Sequence, residues 1–163
     1  MRSEIFIICG VSGVGKSTVG ALLAERLGLD FHDADDFHSP KNKAKMQNGM
    51  ALSDADRTPW LDAMRTQMAA WSAQGGAVLA CSALKESYRQ ILLDGHDAPV
   101  RWVVLNGEEE LLRKRLAGRE GHFVGPEMLA SQLAIWEPPH YGAHYDVMRQ
   151  PTDIVADIAA KCE

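Results

Sequence analysis

Apolar residues along the chain form short continuous runs that alternate with longer stretches of helical spacing. Residues 5–9 are an apolar, β-branched run typical of a buried strand, and apolar positions in 17–27 recur three or four residues apart. The same alternation predicts strands at 29–32, 77–81 and 100–105, and helices at 39–49, 53–75, 84–93, 108–116, 126–135 and 151–161. This order indicates an α/β fold, a parallel sheet covered by helices on both faces.

Two segments depart from that pattern. Residues 118–125 carry Gly118, Gly121 and Gly125 and are expected to form a mobile lid between two helices. Residues 137–145 are rich in Pro, His and Tyr and are expected to form a loop, leaving a short last strand at 146–148. No repeat or linker divides the chain, so residues 1–163 are expected to be a single domain.

Composition narrows the class of protein. A hydrophobic fraction of 46% in 163 residues supports one domain with a real core. A net charge of −5 argues against a nucleic-acid partner, which normally requires a basic face. No apolar run reaches membrane-spanning length, and the first strand is too short for a signal peptide. The three scattered cysteines are expected to be reduced thiols, which indicates a cytoplasmic protein.

The strongest motif follows the first strand. Residues 10–17 match G-x-x-x-x-G-K-[ST], a phosphate-binding P-loop, and the strand and helix that the motif requires flank it. Its glycines let backbone N–H groups converge on an anion, Lys16 can reach the β and γ phosphates of ATP, and the Ser17 hydroxyl can bind Mg²⁺. The predicted nucleotide-binding residues here are Gly10, Val11, Ser12, Gly13, Val14, Gly15, Lys16, Ser17 and Thr18.

Asp33 and Asp35 are the carboxylates that we expect to take part in catalysis. Neither the third nor the fourth strand ends in the aspartate of a Walker B segment, and no N-K-x-D guanine signature is present. In an extended segment, residues two apart point the same way, so one aspartate can hold metal-bound water while the other accepts a proton. The alternative is an Asx turn that caps the next helix. We predict that Asp33, directly after the strand, holds Mg²⁺ through water and that Asp35 orients the acceptor hydroxyl and takes its proton.

Several segments together resemble the gluconokinase family of small P-loop kinases. They are the P-loop, Asp33-Ala34-Asp35-Asp36-Phe37-His38, residues 52–61, Cys81-Ser82-Ala83-Leu84-Lys85-x-x-Tyr88-Arg89, and Arg119-x-Gly121-His122-Phe123. The resemblance spans residues 5 to about 138. It implies ATP- and Mg²⁺-dependent phosphorylation of D-gluconate at the 6-hydroxyl, a P-loop NTPase fold with strand order 2-3-1-4-5, and a homodimer. The weak strand before Gln150-Pro151 departs from similar proteins.

Other residues suit a sugar-acid substrate. A carboxylate needs a cation, for which Arg57, Lys85 and Arg89 are candidates, although each could instead be a surface ion-pair residue. His38 and His122 could donate to substrate hydroxyls or could be structural. Within the predicted lid, Arg119 could brace the transferred phosphoryl group.

Arg115, one helical turn before the lid, could assist in nucleotide binding or could belong to a solvated helix face.

Two other functions compete with a gluconate kinase. Shikimate kinase shares the P-loop and an Asp-x-Asp, but normally has a glycine triplet where this chain has residues 82–85. A nucleotide-dependent switch module would need a Walker B aspartate.

Overall fold

A computed structural model of the chain describes residues 3–118 and 126–162. Its centre is a five-stranded parallel sheet with the predicted order β2-β3-β1-β4-β5. The strands are β1 Ile5–Cys9, β2 Asp30–Asp33, β3 Ala77–Ala80, β4 Val100–Asn106 and β5 Ala143–Asp146. The helices are α1 Lys16–Leu27, α2 Pro40–Gln47, α3 Asp54–Ala73, α4 Glu86–Leu93, α5 Glu109–Ala117, α6 Pro126–Ile135 and α7 Pro151–Ala160, with a 3₁₀ helix at Ala34–Phe37.

The chain reverses direction across the sheet after β2, and this reversal distributes the helices. Crossovers between parallel strands are right-handed, so the connection from β1 to β2 and the connection back to β3 lie on opposite faces. In agreement, α1 packs against α7 while α3 packs against α4. The prediction of helices on both faces is therefore confirmed.

The core lies at the middle of the sheet. All five residues of β1 are buried, which explains its continuous apolar run between two neighbouring strands. Cys9 and Cys81 belong to this core as free thiols, and burial raises the pKa of each to about 12. These two thiols therefore remain protonated and serve as small apolar side chains.

The sequence placed the last strand three residues too late. β5 begins at Ala143, and Leu105 of β4 pairs with Tyr145. Because β5 is an edge strand, His144 is exposed and Tyr145 is buried, so the strand shows alternation rather than an apolar run. The expected loop at 137–145 and strand at 146–148 are both corrected by this pairing.

The predicted start of α4 was also too early. The helix begins at Glu86 rather than at residue 84. Ala83 has a positive φ of 42°, and Lys85 is extended, so neither can belong to a regular helix. A non-glycine residue in this region costs about 1–3 kcal/mol, and the surrounding contacts must compensate for it.

In the described part of the chain, no helix combines the length and the apolarity needed to cross a membrane. The predicted lid falls almost entirely outside the described residues. Only Gly118 is described there, as the residue that ends α5.

Candidate functional site

The P-loop connects β1 to α1 with the backbone geometry that its glycines permit. Gly10, Gly13 and Gly15 all have positive φ values, of 144°, 88° and 92°. A Cβ atom at Gly10 would lie 2.7 Å from the Leu105 carbonyl oxygen, so a larger residue would displace β4. No side chain caps the first turn of α1, which leaves the helix N–H groups for an anion.

Lys16 lies within this loop and is partly buried. Its Nζ donates a hydrogen bond to the Val11 carbonyl at 3.0 Å. Burial lowers the pKa of Lys16, while Asp35, the cysteines and Asp33 act in the opposite direction. An ammonium has three protons, so two remain for the oxygens of a bound phosphate.

Ser17 and Asp33 meet where β2 ends beside the P-loop. The Ser17 hydroxyl donates to Asp33 Oδ2 at 2.8 Å. The other oxygen of Asp33 accepts from the backbone N–H of Asp35 at 2.9 Å and caps the 3₁₀ helix. The turn-capping alternative and the predicted proximity to Ser17 are thus both true of Asp33, because each carboxylate oxygen has a different partner.

Asp35 also lines the pocket above the P-loop, but for a reason that differs from the predicted one. The segment after Asp33 is a 3₁₀ helix rather than extended chain. The buried Trp60 side chain of α3 donates to the Ala34 carbonyl at 2.7 Å and holds this helix in place. The position of Asp35 is therefore set by a tertiary contact.

His38 lies in the same pocket as a neutral imidazole. Its ring stacks on Trp60 with centroids 4.1 Å apart, and burial, with Arg57 and Lys43 nearby, lowers the pKa of His38 to about 4. Asn42 Nδ2 donates to the Asp56 carbonyl and also lies 3.4 Å from His38 Nδ1. Because an amide nitrogen only donates, Nδ1 is the acceptor, and Nε2 carries the proton. His38 is therefore a hydrogen-bond donor.

These elements enclose one pocket at the carboxyl edge of the sheet. Its lining includes the P-loop residues Ser12, Gly13, Gly15, Lys16 and Ser17 and the polar residues Asp33, Asp35, His38, Arg57 and Ser82. Met46, Leu52 and Met128 form a small apolar cluster at its wall. Parallel α/β sheets bind ligands at this edge, because the loops that follow the strands converge there.

The three candidate cations for a substrate carboxylate differ in their surroundings. Arg57 lines the pocket, is 8% exposed and has no ion pair among the described residues. Lys85 pairs with Asp54 at 3.2 Å, and Arg89 pairs with Glu86 at 2.9 Å. Neither Lys85 nor Arg89 lines the pocket. Of the three candidates, Arg57 lines this pocket, whereas Lys85 and Arg89 are engaged in ion pairs outside its lining.

Arg89 connects two loops of the protein. Its guanidinium donates to the carbonyls of Ala83 and Glu137 at 2.6 Å each, and the side chain is 1% exposed. The strained Ala83 turn is thus held to the segment before β5. These contacts give Arg89 a structural role, and its predicted contact with substrate remains a prediction.

We expect Arg89→Lys to lower the free energy of unfolding by about 3–5 kcal/mol, because lysine cannot satisfy both carbonyls and leaves a buried network broken. Arg113→Lys is the matched control: Arg113 is exposed and pairs with Glu109 within α5, so its change should stay within about 0.5 kcal/mol. Urea unfolding of both variants measures the difference. Equal unfolding midpoints would contradict the structural role of Arg89.

Arg115 borders a second cleft that also adjoins the P-loop. Its Nη1 donates to the Gly13 carbonyl at 3.3 Å and its Nη2 to the Val147 carbonyl at 3.0 Å. Thr18, Arg149 and Pro151 also line this cleft, as do Gly13 and Gly15 of the first pocket. The two cavities therefore adjoin the same P-loop, and Arg115, although exposed, makes two tertiary hydrogen bonds.

Gln132 of α6 is a site residue that the sequence did not indicate. Its Oε1 accepts hydrogen bonds from both the backbone N–H and the hydroxyl of Ser12, at 2.8 and 3.0 Å. It belongs to no motif, and only packing of α6 on the P-loop brings it there. Arg119 and His122 lie outside the described residues, so their predicted roles remain predictions.

Comparisons with known proteins agree with this geometry. Residues 5–139 match a family model described as an AAA domain. A probable gluconokinase of Mus musculus is 47% identical over 152 residues, covering 83% of this chain and 83% of its own length. The gluconokinase of Gluconobacter oxydans is 46% identical over 143 residues, covering 85% of this chain and 78% of its own.

A solved structure has the same fold as the whole chain. The gluconokinase of Sinorhizobium meliloti superposes with a TM-score of 0.86 and 36% identity, covering 98% of this chain and 92% of its own. The chain belongs to the gluconokinase family.

Proposed function

We propose that this protein transfers the γ-phosphoryl group of ATP to the 6-hydroxyl of D-gluconate. The main support is the composition of the pocket. The P-loop, with its N–H groups for phosphate, and the buried Arg57, which has no ion pair among the described residues, line the same cavity. A buried cation is normally paired, so Arg57 indicates an anionic ligand opposite the phosphates. Membership of the gluconokinase family supports a sugar acid as that anion.

The nucleotide is proposed to cross the P-loop from one cavity to the other. The cleft beside Arg115 and Pro151 would hold the base and ribose, and Gly13 to Ser17 would hold the phosphates. The Ser17 hydroxyl would bind Mg²⁺ and the Asp33 carboxylate beside it would hold the ion through water, since Mg²⁺ prefers hard oxygen ligands. When bound, Mg²⁺ would neutralise charge on the phosphates.

The chain's own residues then position the reaction. Arg57 would bind the gluconate carboxylate, and His38 Nε2 would donate to a hydroxyl of the same substrate. Since the carboxylate and the 6-hydroxyl lie at opposite ends of gluconate, anchoring one end at Arg57 directs the other toward Lys16. The hydroxyl oxygen bonds to the γ-phosphorus, the bond to the β-phosphate oxygen breaks, ADP leaves, and the hydroxyl proton passes to Asp35.

The structure gives no support to either competing function. β3 continues into Cys81 and Ser82, where a switch module would carry its Walker B aspartate and shikimate kinase would begin its glycine triplet. Asp33 at the end of β2 is the carboxylate beside Ser17.

We further propose a homodimer in the cytoplasm, in line with the family resemblance and the reduced cysteines, which sedimentation and fractionation can test.

A coupled assay of ADP release tests the function with gluconate, shikimate, glucose and no acceptor. We expect gluconate-dependent ADP release and formation of 6-phosphogluconate. Glucose lacks the carboxylate and would leave Arg57 buried and unpaired, at a cost of about 2–5 kcal/mol, so kcat/KM should fall at least about 30-fold. Comparable efficiency with glucose, or a preference for shikimate, would overturn the proposal.

A further inference from the structure

Tyr88 of α4 connects Arg57, which lines the pocket, to Asp54 at the surface of the protein. Its side chain is 3% exposed, and its hydroxyl lies 3.1 Å from Arg57 Nη1 and 2.5 Å from Asp54 Oδ1. Lys85 Nζ lies 3.2 Å from the same Asp54 oxygen. The phosphoryl transfer described above gives Tyr88 no role, although it belongs to the segment from Cys81 to Arg89.

The direction of each hydrogen bond follows from the partners. A guanidinium only donates and a carboxylate only accepts, so the Tyr88 hydroxyl accepts from Arg57 and donates its one proton to Asp54. Burial and the bond to Asp54 raise the pKa of Tyr88, which keeps that proton in place. Arg57, Tyr88 and Asp54 therefore form a relay with one possible orientation.

This relay determines which part of Arg57 remains for a ligand. Nη1 has two N–H groups, one donated to the Leu52 carbonyl at 2.6 Å and one to Tyr88. Both protons of Nη1 are thereby used, whereas Nε and Nη2 have no hydrogen-bond partner among the residues that the structure describes. Nε and Nη2 form the planar fork that binds a carboxylate through two parallel hydrogen bonds.

We propose that Tyr88 is a positioning residue for acceptor recognition: by holding Nη1 of Arg57, it presents the Nε–Nη2 edge to the carboxylate of the acid substrate. Asp54 orients the Tyr88 hydroxyl from outside the pocket. This inference rests on the proposed function, because it assigns the carboxylate of that substrate to Arg57. The preference for an acid over a neutral sugar would then depend on Tyr88, although Tyr88 does not line the pocket.

Tyr88→Phe tests the proposal because it removes one hydroxyl and keeps the buried ring. Loss of a hydrogen bond to a charged group should raise KM for gluconate roughly tenfold or more, with kcat within about twofold and KM for ATP unchanged. The preference for gluconate over glucose should fall by a similar factor. A change in stability alone would not produce this selective shift.

Tyr145→Phe is the matched control. Tyr145 is 4% exposed and donates to Asp157 at 2.6 Å, with Lys161 nearby, but it lies on β5 outside the pocket lining. It reproduces the loss of a buried hydroxyl bonded to a carboxylate, and both KM values should remain those of the wild type.

A second variant tests the relay without altering the core. Asp54→Ala changes an exposed side chain on α3 and removes the acceptor of the Tyr88 proton, so KM for gluconate should rise several-fold. Asp62→Ala, exposed on the same helix, is its control. If Tyr88→Phe unfolds, the Asp54→Ala result decides the proposal.

Failure of the inference differs from failure of the proposed function. A wild-type chain without gluconate-dependent ADP release overturns both. Wild-type turnover with an unshifted gluconate KM in Tyr88→Phe, or in Asp54→Ala where Tyr88→Phe unfolds, overturns the inference alone. Equal increases of KM for gluconate and ATP would also overturn it, because that result indicates a general structural role.

Discussion

Replacing Lys16 by alanine is expected to abolish turnover and leave the fold intact. The variant loses the cation that the P-loop directs at the β and γ phosphates, and loss of one such donor costs about 10³-fold or more in kcat. The fold should not suffer, because burial lowers the pKa of Lys16 and so opposes its charged form. The free protein thus gains no stability from placing an ammonium there.

Two measurements check this result. Coupled ADP release gives the rate, and thermal unfolding shows whether the variant is folded. Lys114→Ala is a suitable control, since Lys114 is 74% exposed on α5 and pairs with Glu110. Turnover near the wild-type rate in a folded Lys16→Ala protein would contradict the kinase proposal itself.

Replacing Asp35 by asparagine is expected to lower kcat by roughly 10²–10⁴-fold, the usual range for a general base. Asparagine keeps the shape of the side chain and removes the group that accepts the proton of the 6-hydroxyl. Nucleotide affinity should change little, because the phosphates are held by the P-loop and Lys16.

Asp33→Asn is compared with Asp35→Asn, and we expect it to change the Mg²⁺ requirement. Asp33 Oδ2 lies 2.8 Å from the Ser17 hydroxyl, so loss of its charge should raise the Mg²⁺ concentration needed for half-maximal rate. Measurement of kcat and of the Mg²⁺ dependence for both variants separates the roles. If Asp35→Asn changes the Mg²⁺ requirement and Asp33→Asn does not, the two assignments are reversed.

Local sequence was sufficient for the parts of the protein whose structure depends on near neighbours. The P-loop needs glycine at positions of positive φ, and these three glycines stand within six residues of one another. Ser53 caps α3 through a reciprocal pair of hydrogen bonds with Asp56, three residues away. The central strands β1 and β3 followed from continuous apolar runs, because a strand buried on both faces has no polar side.

The bounds of the edge strand β5 could not be predicted from local sequence. β5 contains one buried residue, Tyr145, and its pairing with β4 depends on residues about 40 positions away in the chain. Gln132 was missed for the same reason, because its contact with Ser12 joins residues 120 positions apart. No local pattern carries that information.

The sequence by itself thus determined a P-loop kinase of the gluconokinase family, with Asp33 and Asp35 near the P-loop and three cations as candidates for an acid-binding residue. Only the tertiary structure separated those cations. Lys85 and Arg89 have carboxylate partners at 3.2 and 2.9 Å, whereas Arg57 is buried and has only neutral hydrogen-bond acceptors among the described residues. The physical reason is that a buried charge must be compensated, and its partner is determined by which side chains the fold brings within a few ångströms.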